Sequence, residues 1–198
     1  MKEKRCEPRI VMANYNDKTV RVYQAYSNII ADQALKLGTF GSAFKMERMT
    51  WIKPSFLWMM YRAGWGIKPG QERILAIDID RAGFDEILSN VVLSSFDSEM
   101  YGTFEHWQER LQGSTVRCQW DPDRDIHGNP IGRRAIQLGL SGATVNKYVH
   151  TWIRTITDMS DEIKNWRMAI AAKQFDQGLL PKEEEYPVSE EIRKVLGM

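Results

Sequence analysis

The sequence is short of the residues that usually announce chemistry. Its 198 residues include two cysteines, Cys6 and Cys118, and three histidines, His106, His127 and His150. One cysteine lies in a charged N-terminal arm and the other in an expected strand. They make no disulfide framework and suit unpaired thiols in a reducing compartment. The histidines are far apart, with no Cys or carboxylate at ligand spacing, so no metal is expected. Asp121, Asp123 and Asp125 begin like a calcium loop. That loop needs Gly at its sixth position and Glu at its twelfth, and Ile126 and Gly132 stand there, so the run reads as a turn. No apolar run approaches the ~20 residues of a membrane helix, and MKEKRCEPR lacks the apolar stretch of a secretory signal. The expected setting is the cytoplasm, away from membranes. There is no Gly-x-Ser-x-Gly elbow, and GWGIKPG matches neither the Walker pattern nor the dinucleotide fingerprint. A net charge of +1 argues against a surface given over to nucleic acid, yet permits a local basic site.

What the chain does have is aromatic mass. It carries seven tryptophans, and five large aromatics fall between Glu47 and Arg73: Trp51, Phe56, Trp58, Tyr61 and Trp65. They are threaded with Arg48, Lys53, Arg62, Lys68 and Arg73. Pro54 suits the first turn of a helix expected to run to about Arg62 and stop at Gly64. Trp58, Tyr61 and Arg62 are i, i+3 and i+4 on it, so one face presents two rings and a cation.

The rest of the chain alternates irregularly. Ile10 to Met12 and Thr19 to Ala25 read as an antiparallel pair joined through Asn14 to Asp17. In the second strand Val20 and Val22 share one face, and Arg21 and Tyr23 share the other, which is expected to look into a cleft. A helix follows from about Asn28 to Leu37, ended by Gly38. Leu75, Ile77 and Ile79 alternate as a strand, and Asp80 caps a short helix. Thr103 caps another helix. Val116, Cys118 and Trp120 form a strand, Asp121 to Arg134 a polar loop, and Ile136, Leu138 and Leu140 a further strand. Val145, Tyr148, Val149, Trp152, Ile153 and Ile156 keep helical spacing, and Ser160 starts the next helix. The expected fold is α+β: one globular domain over 1–180, with a mixed, largely antiparallel sheet packed by several helices. Residues 181–198 read as a charged linker and a short helix.

VYQAYS (22–27), RMTWIKPSFLWMMYR (48–62), QWDPDRD (119–125) and RAIQLGLSG (134–142) together resemble the domain of unknown function 4291 family over nearly the full length. That resemblance implies a stand-alone domain of about this size. A narrower likeness concerns Tyr23-Gln24-Ala25-Tyr26-Ser27, followed by a helix and Gly38, which is similar to the opening of the ADP-ribosyltransferase fold. It implies NAD as cofactor, with the strand end holding nicotinamide. Gln24-Ala25-Tyr26 stands where such enzymes often carry His-Gly-Thr or an Arg. Their late catalytic Glu has no clean counterpart, so Gln137 and Glu72 are the catalytic candidates.

From the residues themselves, Arg forks onto phosphate and Trp or Tyr stacks on a base. The ligand-binding candidates are Tyr23, Gln24, Tyr26, Arg48, Thr50, Trp51, Lys53, Tyr61, Arg62, Gln119 and Arg134. Three readings follow. The first is a protein that binds a phosphate-containing nucleotide, as an NAD-using ADP-ribosyltransferase-like enzyme would. The second is a non-catalytic module for single-stranded nucleic acid. The third is a structural or interaction domain, in which Arg48, Lys53 and Arg62 pair with Asp121, Asp123 or Asp125 and leave no cleft.

Overall fold

A computed structural model describes residues 7–198; Cys6 lies outside the described residues. In chain order the elements are β1 (Met12–Ala13), β2 (Thr19–Tyr26), α1 (Asn28–Leu37), β3 (Thr50–Ile52), α2 (Phe56–Ala63), β4 (Arg73–Asp80) and α3 (Arg81–Ser89). Then come β5 (Val92–Leu93), α4 (Ser98–Tyr101), α5 (Phe104–Gly113), β6 (Val116–Arg124), β7 (Pro130–Leu140) and α6 (Gly142–Lys147). A π turn (Tyr148–Trp152), β8 (Ile153–Asp158), α7 (Ser160–Ala171), a 3-10 turn (Gln177–Leu179), β9 (Glu184–Glu185) and α8 (Glu190–Leu196) complete the α+β fold. No helix among the described residues is long and apolar enough to cross a membrane.

The strands form two main sheets, β2-β4-β8 and β3-β7-β6-β5, and a short β1-β9 pair. Side-chain parity assigns each face its neighbour. Val20, Val22, Leu75, Ile77 and Ile79 point from the first sheet into a core shared with Ile52, Val116, Cys118, Ile136, Leu138 and Leu140 of the second. Tyr23, Ile74 and Ala76 point the other way, into a second core roofed by α2 and α7. There Phe56 meets Tyr23, Trp166 and Trp65 edge-on, at centroid distances of 5.3, 5.7 and 6.2 Å, the arrangement favoured by ring quadrupoles.

At Tyr23, Ile74 and Ala76 this sheet is covered on its second face as well, which corrects one expectation. The Arg21/Tyr23 face of β2 does not look into a cleft. Arg21 forks onto Asp78 with two 2.8 Å bonds, and Tyr23 is fully buried.

Three other expectations change. β1 takes its ladder partner from β9, while its link to β2 is a tight turn with one Tyr15–Val20 bridge. The supposed polar loop after Trp120 is mostly strand: β6 runs on to Arg124 and β7 starts at Pro130, so only the hairpin tip is irregular. Asp125 builds that tip by accepting from the backbone N–H of His127 (2.9 Å) and Asn129 (2.8 Å). The long helical pattern from Val145 ends at Trp152. Ile153 to Asp158 instead pairs with the open edge of β4, where alternating Ile and Thr suit a strand. Local helical spacing lost to an unsatisfied sheet edge.

The C-terminal residues pack into the same core. Tyr186 is 1% exposed, and Ile192 and Leu196 lie beside α3 and β5. Trp120 donates its indole N–H to the Leu196 carbonyl at 2.9 Å.

Trp152, at the end of the π turn, lies flat against α3 at Gly83. A Cβ at Gly83 would come within 2.5 Å of the indole ring, closer than carbon atoms approach without displacement. Gly83→Ala should therefore cost ~1–3 kcal/mol as an overpacking change, read as a lower urea midpoint at unchanged slope. A midpoint equal to wild type would show that Trp152 moves aside freely.

Candidate functional site

One backbone bridge joins the two main sheets. The Tyr23 N–H donates to the Lys53 carbonyl at 2.7 Å, and the Lys53 N–H returns to the Tyr23 carbonyl at 3.3 Å. From Gln24 onward β2 pairs only with β4 among the described residues, and β3 only with β7. Side chains fill the gap that the ladder leaves. The buried Gln24 donates its amide to the Tyr26 hydroxyl (2.8 Å) and the Thr50 hydroxyl (2.7 Å). Its carbonyl accepts from the buried Tyr148 hydroxyl at 2.7 Å. Burial pushes the Tyr148 phenol well above its ordinary value, so it stays a donor and holds the Gln24 amide in this orientation. Tyr26 and Thr50 share one further bond of 2.9 Å. That leaves one hydroxyl proton of the pair without an acceptor among the described residues.

This network forms one wall of a cleft of about 930 Å³. The floor is the outward face of the second sheet. Gln119 and Gln137 are direct cross-strand partners there, and both donate to the Asp121 carboxylate, at 2.9 and 2.6 Å. Trp51 and Met49 lie over Gly139, where a Cβ would come within 3.0 Å of the Trp51 ring and 2.7 Å of the Met49 sulfur. Glycine at this position lets the indole rest on the sheet.

The opposite wall is α2. Phe56, Met60 and Ala63 face its core side, and Trp58, Tyr61 and Arg62 line the cleft. Trp58 and Tyr61 stack at 5.4 Å. Arg124, from the β6–β7 hairpin, sits 4.4 Å above the Tyr61 ring and braces it from behind. The indole N–H of Trp58 is buried and has no acceptor among the described residues.

The electrostatics are one-sided. Arg48, Lys53, Arg62 and Lys68 line the cleft, against one carboxylate, Asp121. Among the described residues no carboxylate lies within ion-pair distance of any of the four cations. The internal pairing expected by the structural reading is absent there. Asp123 instead pairs with Arg133 at 2.7 Å. Arg48 and Arg62 are exposed, and Lys53 is buried. The Lys53 ammonium makes one bond, 3.4 Å long, to the Trp51 carbonyl. Burial, reinforced by the positive charge of Arg62, pulls its pKa down to about 8, with Asp121 opposing.

Ten of the sequence-named residues converge here: Gln24, Tyr26, Arg48, Thr50, Trp51, Lys53, Tyr61, Arg62, Gln119 and Gln137. Three do not. Tyr23 is core, with no ring face left for a ligand, because α2 covers that side of β2. Arg134 shares the parity of Ile136 and points away from the floor, donating to the Trp120 carbonyl at 3.1 Å. Glu72 accepts from the Gly70 N–H at 2.8 Å and borders a separate concavity of about 210 Å³. Asp121, Trp58, Lys68 and Gly139 were not named as site residues from the sequence. Asp121 is two residues beyond Gln119, so strand alternation would have found it had β6 been carried past Trp120.

A family model described as a domain of unknown function, DUF4291, matches residues 10–186. The chain belongs to this family. The match spans both main sheets and every residue that lines the cleft. No curated protein matches the sequence.

The depressed Lys53 pKa carries a sign. The ordinary value is 10.5 and the folded value about 8, so between those pH values the unfolded chain holds the extra proton. Native stability therefore gains as pH rises from about 8 to 10.5, and the penalty is present in full below about 8. Lys53→Met should raise stability at pH 7 by on the order of 2–3 kcal/mol, with the gain fading toward pH 10.5. A gain independent of pH would mean that Lys53 does not titrate in this way.

Proposed function

We propose that the cleft binds a phosphate-containing nucleotide, with NAD the representative ligand. The observation that carries the reading is the surplus of donors. Arg48, Arg62, Lys68 and Lys53 face the cleft without carboxylate partners among the described residues. The Trp58 indole N–H and one hydroxyl proton of the Tyr26–Thr50 pair are likewise unspent. A ligand rich in acceptors and negative charge meets the cations that face the cleft, and phosphate is that ligand. Trp51 and Tyr61 supply ring faces for a base or nicotinamide. The volume, about 930 Å³, lies within the ~300–1,000 Å³ usual for small-ligand sites.

The finer reading is ADP-ribosyl transfer from NAD. Breaking the nicotinamide–ribose bond leaves positive charge on the ribose, and a fixed carboxylate nearby lowers that barrier. Asp121 is the group in the cleft suited to this, held by the two glutamine amides. Gln137 thus acts by orienting Asp121, and Glu72 takes no part.

The test is thermal melting and calorimetric titration with NAD and ADP. At a hundredfold excess over Kd, binding to the native state alone adds about 2.7 kcal/mol, so a clear upward shift is expected. Arg48→Ala and Arg62→Ala should each weaken binding by about tenfold or more, the size of a lost charge-assisted contact. Neither NAD nor ADP moving the melting temperature at millimolar concentration would sink the proposal. Salt-dependent binding of mixed single-stranded oligonucleotides, tighter than ADP, would favour the nucleic-acid module instead.

A further inference from the structure

We propose that Lys53 is a nucleophile whose amine condenses with the open-chain aldehyde of a phosphate-bearing sugar held in the cleft. ADP-ribose is the representative substrate, because it carries both the nucleotide phosphates and a reducing ribose. The proposal relies on the nucleotide reading for the binding of those phosphates.

The geometry separates Lys53 from the other cations. Arg48 and Arg62 are exposed and Lys68 is half-buried, whereas Lys53 is 6% exposed. A lysine buried for structural reasons is normally paired, since an unpaired charge in the interior is costly. Among the described residues Lys53 has only the long bond to the Trp51 carbonyl. Its main chain is locked on both sides: N–H and carbonyl bridge to Tyr23, and Pro54 follows. Such an amine is held at the bottom of a ligand-sized cleft at a structural cost.

The surroundings favour the neutral, reactive form. From α2 come Arg62 and Tyr61, from the turn beyond it Lys68, from the approach to β3 Arg48, and from β2 Tyr26. Asp121 on β6 is the sole carboxylate among the residues lining the cleft. Positive neighbours and desolvation together are the recognised way of activating a lysine amine.

The step balances without any further reagent. The amine lone pair attacks the aldehyde carbon, and a C–N bond forms as the carbonyl π pair moves onto oxygen. One amine proton transfers to that oxygen, with Asp121 the available relay. The carbinolamine then expels its hydroxyl together with the second amine proton as water, leaving an imine between Lys53 and the ribose carbon.

Reductive trapping tests this directly. The protein is incubated with ADP-ribose at pH 8, reduced with cyanoborohydride, digested and mapped by mass spectrometry. A lysine with pKa about 8 has far more free amine at pH 8 than an exposed lysine near 10.5. Adduct occupancy at Lys53 should therefore exceed that of any exposed lysine by at least about tenfold. Excess ADP should suppress it, and Lys53→Arg, which keeps the charge but cannot condense, should lose it. Adduct spread evenly over lysines and indifferent to ADP would overturn the proposal. Absence of adduct while ADP still raises the melting temperature would remove the nucleophile and leave the nucleotide reading standing. Absence of both adduct and melting shift would remove both.

Discussion

The structure turns on one pair of backbone hydrogen bonds, between Tyr23 and Lys53. They are the only ladder contact between β2 and the β3 segment among the described residues. Because the ladder stops there, two sheets that share a core along one side are parted along the other. Polar backbone exposed in such a gap must find partners, and Gln24, Tyr26 and Thr50 occupy it with side-chain bonds instead. The cleft is what remains beyond them. The same bridge fixes Lys53 and sets Tyr23 on the core side. One constraint thus determines which of two bridged residues faces the cleft.

The two cores divide the labour. The shared core joins the two sheets through Leu75, Ile77, Leu138 and Leu140, all fully buried. The second core anchors α2 through Phe56 against Tyr23 and Trp166. An anchored α2 holds Trp58, Tyr61 and Arg62 in place opposite the sheet floor. A half-buried carboxyl group helps: Glu183 accepts from the Phe56 N–H at the start of α2. Desolvation raises its pKa to about 8, against the bond from Phe56. Desolvation thus opposes the charged form of both Lys53 and Glu183, one on each side of the start of α2.

Much of this was readable from residue order. α1 runs from Asn28 to Leu37 and ends at Gly38, as its periodicity predicts, with the glycine at φ 70° in the left-handed region. The alternation of Leu75, Ile77 and Ile79 identifies β4, and the Trp58–Tyr61–Arg62 spacing identifies the cleft face of α2. The failures have physical causes. Val145 to Ile156 carries a genuine helical period, but the free edge of β4 takes its second half as β8. Tyr23 alternates correctly with Val22, yet alternation cannot say which face of a strand a helix will cover. Arg134 is polar and stands near a strand end, yet it shares the parity of Ile136 and points away from the cleft floor. Asp121 escaped because Asp-Pro-Asp suggests a turn, whereas here β6 runs through it with a register shift between Pro122 and Arg124.

The central claim is that the cations and unspent donors of the cleft are arranged for the phosphates of a nucleotide. A crystal structure of the ADP complex tests it most directly. The account predicts phosphate oxygens within hydrogen-bond distance of Arg48 or Arg62, with the base against Trp51 or Tyr61. ADP bound elsewhere on the surface, or phosphates directed away from those cations, would contradict it.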